Sequence, residues 1–150
     1  DYGTRNYTQV SVQRWKNGAG TTREMARGPE GSDLDDFDWR ISLAEIERDA
    51  PFSAFPGIDR CIVLLQGAGM ELLGDDGRHA QSLRALLPWD FAGERALSAR
   101  LNHGPCSDLN VMTRRGRWRA HRTPSSRSKF SRCSRFSRQC SCSRVAWRAR

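Results

Sequence analysis

Four apolar side chains at every second position are the most restrictive feature of this sequence. They are Phe37, Trp39, Ile41 and Leu43. Apolar residues at alternate positions are typical of a half-buried β-strand, because successive side chains of a strand point to opposite faces. Arg40 lies between them, so the other face of this strand carries a cation. In a β-barrel one of the two faces is the lumen, and the sequence leaves open which one.

This strand is followed by a turn and a second strand. Residues 50–57 contain two prolines and two phenylalanines. We predict an irregular turn here, because each proline lacks a backbone N–H and restricts its neighbour, and we expect the two aromatic rings to hold the turn against the core. Residues 61–65 are all apolar and predict a central strand.

Short strands separated by glycine- and proline-rich turns recur along the body of the chain. We predict strands over 7–15, 24–27, 70–73, 96–101 and 109–114, a glycine loop over 16–23 and an aromatic turn over 88–93, and we leave 78–87 open between strand and irregular chain. This spacing, without a long helical period, predicts an all-β antiparallel sandwich or barrel.

The charge is divided unevenly along the chain. Residues 1–116 contain 14 basic and 17 acidic residues, whereas residues 117–150 contain 11 basic residues and no acidic one. Because apolar residues are sparse and aperiodic after 116, we predict a folded domain over 1–116 and a disordered, basic Ser/Arg-rich tail over 117–150. No apolar stretch approaches 18 residues and the five cysteines have no regular spacing, which together favour a cytoplasmic protein without a membrane helix.

Several motifs, in order, resemble one known family. They are Trp-Lys-Asn-Gly-Ala-Gly-Thr-Thr-Arg-Glu at 15–24, Phe-Asp-Trp-Arg-Ile-Ser at 37–42, Pro-Phe-Ser at 51–53, Phe-Pro-Gly-Ile-Asp-Arg at 55–60, Gly-Pro at 104–105, Asp-Leu-Asn-Val-Met at 108–112 and Arg-Arg at 114–115. Over residues 5–116 the sequence resembles the HutD/Ves family of cupin-like proteins.

The resemblance implies a cupin-type antiparallel β-barrel or jelly roll, in a family that is bicupin-like. It also implies a link to histidine utilisation and the binding of a small acidic degradation intermediate, similar to formylglutamate, with a modulating role in the pathway. Family members continue past the Arg-Arg motif at 114–115 with further strands. We therefore expect a barrel that is incomplete at its C-terminus, and a tail that arises from a shifted reading frame or, alternatively, is a natural basic tail.

The histidines argue against the metal site of a cupin enzyme, which uses a His-x-His pair, a Glu and a third His. This chain has His79, His103 and His121, with no two at ligand spacing. Because zinc and iron sites in proteins depend on imidazole or thiolate ligands, we predict no metal and no cofactor. No nucleophile with a histidine base is evident either, so we predict no catalytic residue.

Cations stand where the metal ligands of a cupin would be. A guanidinium matches a carboxylate with two parallel hydrogen bonds, so Arg40 on a lumen face predicts an anion site. The alternative for Arg40 is an internal ion pair with one of four acidic residues, Asp38, Asp59, Asp108 and Glu24. Arg60 and Arg114 have the same two interpretations, because each can brace the fold or reach a ligand.

The glycine loop supplies the second half of the predicted site. Its glycines allow close approach of the backbone, and its polar side chains offer a point charge, an amide and hydroxyls, although a plain tight turn would have the same composition. Together with the strand residues, the predicted ligand-binding set is Lys16, Asn17, Thr21, Arg23, Arg40, Ser42, Arg60, Asn110 and Arg114.

Two functions of different class follow. The first is a metal-free cupin-like protein that binds a small acidic metabolite and regulates histidine degradation. For this protein a homodimer is possible, and no membrane partner is expected. The second is a nucleic-acid-binding or partner-binding protein that acts through the basic tail, whose charge predicts salt-sensitive binding without sequence preference.

Overall fold

The structure is a computed structural model, and it describes residues 11–122 and 145–149. Those residues form strands, turns and irregular chain, with no helix among them. None of their segments is therefore a helix that could span a membrane. The strands, in chain order, are β1 (Val12–Arg14), β2 (Gly20–Gly28), β3 (Trp39–Ile46), β4 (Ala50–Pro51), β5 (Ile58–Gln66), β6 (Met70–Gly74), β7 (His79–Leu83), β8 (Pro88–Ala92), β9 (Leu97–Leu101), β10 (Cys106–Arg114), β11 (Trp118–Arg122) and β12 (Val145–Ala149).

Two larger sheets and one two-stranded sheet contain these strands. The first sheet has the order β1-β2-β3-β10-β5-β8, the second has the order β4-β9-β6-β7, and β11 pairs with β12. Every strand pair is antiparallel. The prediction of an all-β antiparallel jelly roll is confirmed, and its two sheets do not close into a continuous barrel.

The core lies between the two larger sheets. Ile62 and Leu64 of β5 pack in one buried cluster with Met70 and Leu72 of β6, and Leu97 of β9 belongs to the same cluster. All five side chains are at most 3% exposed. Because a sheet must bury one face against another element, this cluster holds the two sheets face to face.

The structure decides which face of β3 is the inner one. Arg40, Ser42, Ala44 and Ile46 are buried, whereas the apolar residues between them are only half-buried. The apolar pattern therefore marks the outer face of this strand, and its cation points inward. Phe37 breaks the pattern: it precedes β3, is fully buried and packs edge-on against the ring of Phe55, with ring centroids 6.2 Å apart.

Three predicted boundaries are wrong. Residues 20–23 belong to β2 rather than to the glycine loop, which agrees with the strand preference of the two threonines there. Residues 88–92 form β8 rather than a turn, and Pro88 is tolerated because it is the first residue of an edge strand. Pro51 likewise ends the short edge strand β4, so irregular chain begins only after it.

The predicted tail contains two strands, at 118–122 and 145–149, which pair with each other over five residues. At these ten residues the structure has strands where composition predicts disorder. The side chain of Asp38 contacts the start of this region, since it accepts hydrogen bonds from Arg117 at 3.1 Å and from the Trp118 indole at 3.4 Å. Residues 123–144 of the tail lie outside the described residues, and the domain boundary at 116 stays a prediction.

Gly93 fixes the turn that follows β4. Its N–H donates to the Ile58 carbonyl at 2.6 Å, and its carbonyl accepts from the Phe55 N–H at 2.7 Å. A Cβ at this position would lie 2.6 Å from the Phe55 carbonyl oxygen and 2.7 Å from that of Ile58, and neither backbone atom can move aside alone. Glycine is therefore required for the backbones to approach this closely.

We expect Gly93→Ala to lower the free energy of unfolding by about 1–3 kcal/mol, because inserting a methyl group into closely packed backbone forces it apart. Urea unfolding followed by tryptophan fluorescence measures the change. Ala92→Ser, at the exposed neighbouring position, is the control and should stay within about 0.5 kcal/mol of the parent. Equal stability of both variants and the parent would show that this turn is not packed as described.

Candidate functional site

A cavity of about 420 Å³ lies on the inner face of the first sheet. The loop before β2 and the turn after β4 border it, and its floor is formed by β3, β10 and β5. The polar and aromatic residues that define it are Arg40, Ser42, Phe52, Arg60, Asp108 and Asn110.

The register of three neighbouring strands explains why these side chains meet. Residues that pair directly across antiparallel strands share a face. Met112 of β10 pairs with Arg40 of β3 on one side and with Arg60 of β5 on the other. Because neighbouring strands are about 4.8 Å apart, the two arginine backbones are about 10 Å apart in one row. Asn110 pairs with Ser42 two residues further along, and this places a second polar row beside the first.

Arg40 is held by an ion pair inside the sheet. It is 6% exposed, and its Nε donates to the Glu24 carboxylate at 2.8 Å. Glu24 also contacts Arg27 at 3.4 Å, so this carboxylate is shared between two cations. The internal ion pair that was the alternative for Arg40 is therefore present. It uses Nε only, and the two terminal nitrogens of the guanidinium are not committed to Glu24.

Two of the three guanidinium nitrogens of Arg60 donate hydrogen bonds, and the third has no partner among the described residues. One terminal nitrogen donates to the Ser53 carbonyl at 3.1 Å and the other to Asn110 Oδ1 at 2.7 Å. Its Nε is buried and has no hydrogen-bond partner within the described part of the chain. Burial lowers the pKa of Arg60 to about 10; Asp108 opposes this decrease, the nearby Arg40 adds to it, and the side chain remains a cation at neutral pH.

Three aromatic rings surround that cation. The Arg60 Cζ atom lies 4.9 Å from the centroid of the Phe91 ring, 5.5 Å from that of Phe55 and 5.6 Å from that of Phe52. Aromatic faces attract cations, and they also keep water away from the guanidinium. An anion that reached Arg60 here would meet it in a medium of low dielectric constant, in which charges interact more strongly than in water.

Asn110 connects Arg60 to a buried acid. Its Nδ2 donates to Asp108 Oδ1 at 2.6 Å, while its Oδ1 accepts from Arg60. Asp108 is 1% exposed, and burial raises the pKa of its carboxyl to about 7 although Arg60 and the Asn110 hydrogen bond oppose the rise. Asp108 Oδ2 is buried without a hydrogen-bond partner among the described residues. The network Arg60–Asn110–Asp108 thus ends in two buried atoms that have no hydrogen-bond partner among the described residues: the donor Arg60 Nε and the oxygen Asp108 Oδ2.

Comparison with known proteins assigns the chain to a family. The model of the family HutD matches residues 7–145. The chain belongs to the HutD family. The predicted resemblance is confirmed, and the match continues past residue 116, where we had expected it to end.

Relatives and solved structures that are similar to this HutD-family chain support the same family. An uncharacterized 21.2 kDa protein in the hutC 3' region of Pseudomonas putida is 45% identical over 109 residues, covering 71% of this chain and 55% of that protein. Protein Ves of Citrobacter koseri is 42% identical, covering 75% and 58%. The crystal structure of HutD from Pseudomonas fluorescens SBW25, in a formate condition, is 36% identical with a TM-score of 0.70, covering 79% of this chain and 63% of that one.

The chain spans less than two thirds of the length of these relatives. More distant structures share the fold alone: KdgF from Halomonas at 12% identity with a TM-score of 0.57, and an RmlC-like cupin from Shewanella frigidimarina at 8% with 0.55. The cupin-like architecture is therefore shown, and the naming of the relatives links the family to the histidine utilisation region.

The cavity of this HutD-family chain does not fit the metal of many cupins. Its lining contains three guanidinium groups, those of Arg14, Arg40 and Arg60, and no histidine or cysteine. No group of three His, Cys, Asp or Glu side chains that could hold a metal ion occurs in the described residues. His79 is exposed and contacts Ser82 and Glu71 on the second sheet instead. A divalent cation prefers anionic or imidazole ligands, so we derive no chemistry from a metal here.

Six of the nine predicted site residues line this cavity. They are Lys16, Asn17, Arg40, Ser42, Arg60 and Asn110. Lys16 and Asn17 are exposed at its edge. The Asn17 side chain accepts a hydrogen bond from the Ala19 N–H at 2.9 Å, so it shapes the loop as well as bordering the cavity.

The other three predicted residues lie elsewhere. Thr21 and Arg23 pair with Glu45 and Leu43, which are on the outer face of β3, because β2 is already extended at these positions. Arg114 braces the chain before β3, where its guanidinium donates to the Phe37 carbonyl at 2.7 and 2.9 Å. These three residues would contact a ligand only if residues 20–23 formed a loop and if the Arg114 side chain pointed into the cavity.

The predicted set omitted Asp108, Phe52 and Phe55. Asp108 continues the alternation of Asn110 and Met112 on β10, and that pattern could have placed it inward. The turn at 50–57 was recognised as aromatic, but a contact of its rings with Arg60 depends on tertiary structure. Thr22 is a further lining residue, and it accepts a hydrogen bond from the Trp15 indole at 2.7 Å.

Proposed function

We propose that this HutD-family chain is a metal-free binding protein that holds a small dicarboxylate, similar to formylglutamate, in its cavity and so regulates histidine degradation. The observation that carries the proposal is the unpartnered Nε of Arg60, a buried donor on a cation that faces the cavity. Buried polar groups are almost always paired, and a charged donor left open costs several times what a neutral one does. A ligand carboxylate removes this cost.

The balance of charge in the cavity favours an anion. Arg40 and Arg60 contribute two positive charges, whereas Glu24 contributes one negative charge that it shares with Arg27. Asp108 is only partly ionised near neutral pH, because burial raises its pKa to about 7. Lys16 at the edge adds a further cation that attracts anions from solution.

The spacing of the two arginines favours two carboxylates over one. Their backbones are about 10 Å apart in one row of the sheet, and Met112 lies between them on β10. A five-carbon dicarboxylate can therefore place one carboxylate near each guanidinium. A volume of about 420 Å³ falls within the usual range of small-ligand sites.

The link to histidine degradation rests on relatives rather than on the cavity. One relative lies in the hutC 3' region, and a solved relative is named HutD. The alternative function, nucleic-acid or partner binding through the basic tail, has no described observation in its favour, since residues 123–144 lie outside the described residues. The predicted homodimer and the cytoplasmic location stay predictions.

Isothermal titration calorimetry of the full chain with formylglutamate, glutamate and urocanate tests the proposal. We expect formylglutamate to bind and urocanate, with a single carboxylate, to bind more weakly. Arg40→Ala should weaken formylglutamate binding by roughly 10- to 150-fold, because a hydrogen bond to a charged group contributes about 1.5–3 kcal/mol. Arg78→Ala, on the exposed chain between β6 and β7, is the control and should leave affinity unchanged. No heat from any of the three compounds, in protein whose circular dichroism shows a folded β-structure, would contradict the proposal.

A further inference from the structure

Asp108 is a buried acid whose second oxygen has no partner. Its Oδ1 accepts the Asn110 hydrogen bond, and its Oδ2 is buried and unpaired within the described residues, although the residue borders the cavity. An ionised carboxylate in such a place would leave a charged acceptor unsatisfied, at a cost well above that of a neutral group. A protonated carboxyl, in contrast, presents an O–H donor that a ligand oxygen can accept.

The neighbours of Asp108 do little to stabilise its charge. On either side along the sheet it pairs with Ala44 of β3 and Leu64 of β5, both buried and apolar. From the facing sheet, Met70 and Leu72 pack in the same buried cluster as Leu64.

Four titratable or charged groups lie on the strands around Asp108. Arg60 of β5 is the nearest cation, but Asn110 stands between the two, and no ion pair joins them in the described part of the chain. Arg40 of β3 is bound to Glu24 of β2, and Cys106 of β10 is a buried thiol. Burial outweighs the attraction of Arg60, and the pKa of Asp108 rises to about 7.

We propose that Asp108 is a ligand-binding residue that couples carboxylate binding to a proton: its protonated carboxyl donates a hydrogen bond from Oδ2 to the bound carboxylate, while Arg60 supplies the compensating positive charge. This rests on the proposed function of the same cavity. Hydrogen bonds from a neutral acid to a carboxylate are short and strong. An ionised Asp108 would instead repel the ligand, so the ligand and the proton enter together.

The proton balance follows directly. At a pH where free Asp108 is ionised, each bound dicarboxylate molecule is accompanied by the uptake of one proton from the buffer onto Asp108, and no covalent bond other than this O–H is made or broken. Affinity then falls about tenfold for each unit of pH above 7, because one proton is bound in the complex and none in the free protein. Well below pH 7 the free residue already carries the proton, and affinity no longer depends on pH through this group.

The test uses the full chain and glutarate as the probe. Calorimetric titrations at pH 6, 7, 8 and 9, in pairs of buffers that differ in ionisation enthalpy and contain no carboxylate or phosphate, give both the dissociation constant and the number of protons taken up. We expect nearly one proton at pH 8 and almost none at pH 6. Formylglutamate serves as a second probe in the same series.

Two variants assign the proton. Asp108→Asn has nearly the same shape, keeps an N–H donor and cannot ionise, so its affinity should be independent of pH with no proton uptake. Glu24→Gln removes the carboxylate that pairs with Arg40 and should retain the uptake seen in the parent. Glu71→Gln, on the second sheet, is a control that should retain both affinity and uptake.

Each outcome decides the matter. Glutarate binding in the parent that is equal at all four pH values, without proton uptake, would contradict the role of Asp108 and leave the proposed function standing. Loss of the uptake in Glu24→Gln would assign the proton to Glu24 and also contradict it. Failure of both dicarboxylates to bind at any pH would remove the proposed function and this inference together. If Asp108→Asn does not fold, the parent and Glu24→Gln still separate these results.

Discussion

Arg60→Ala is expected to lower the affinity for a dicarboxylate by roughly 10- to 150-fold. Arg60 is a buried cation with an unpaired Nε and an aromatic ring beside it, and a hydrogen bond from a charged donor contributes about 1.5–3 kcal/mol. Titration calorimetry with formylglutamate measures the loss. The variant also removes the partner of Asn110, so its stability is measured in parallel by urea unfolding.

Two matched variants separate charge from geometry. Arg60→Lys keeps a positive charge but has no planar fork, and it should recover only part of the affinity. Arg100→Ala removes an exposed arginine from β9 and should bind as the parent does. Full affinity in a folded Arg60→Ala protein would show that the ligand does not use this guanidinium.

Ile62→Ala is expected to lower the free energy of unfolding by about 2–5 kcal/mol. Ile62 is fully buried in the cluster between the two sheets. It pairs with Asn110 on the neighbouring strand, so it lies beside the polar network. Truncation removes buried methyl groups and leaves a cavity that close-packed neighbours cannot fill. Urea unfolding, with the slope of the transition compared between variants, gives the change in stability.

The next residue on the same strand provides the control. Val63 points to the opposite face and is only half-buried, so Val63→Ala should cost clearly less than Ile62→Ala. A larger loss at Val63 would mean that the inner and outer faces of β5 have been assigned the wrong way round. That result would also turn Arg60 away from the cavity, since it shares the face of Ile62.

The local patterns of the sequence predict the fold class well but not the orientation of its strands. The alternation at 37–43 correctly indicates a strand with a cation on one face. It does not indicate which face is inside, since Trp39, Ile41 and Leu43 are only half-buried and the buried face contains Arg40 and Ser42. Deciding this requires the second sheet, whose position depends on contacts far apart in the sequence.

The site could be predicted only in part for the same reason. Arg60 and Asn110 are 50 residues apart, and their hydrogen bond depends on the register between β5 and β10. Thr21 and Arg23 lie on the outer face, because successive side chains of a strand point to opposite faces and Thr22, between them, lines the cavity. Asp108 was considered only as a possible partner of Arg40, whereas the structure joins it to Arg60 through Asn110.

A crystal structure of the full chain grown with formylglutamate tests the anion site most directly. We expect a ligand carboxylate within hydrogen-bond distance of Arg60 Nε, a second carboxylate close to the terminal nitrogens of Arg40, and Asp108 Oδ2 in contact with a ligand oxygen. Two results would contradict the assignment of this cavity as the dicarboxylate site, if calorimetry shows that the ligand binds. The first is ligand density outside the cavity, and the second is ligand density inside it with no ligand atom in contact with Arg60 Nε.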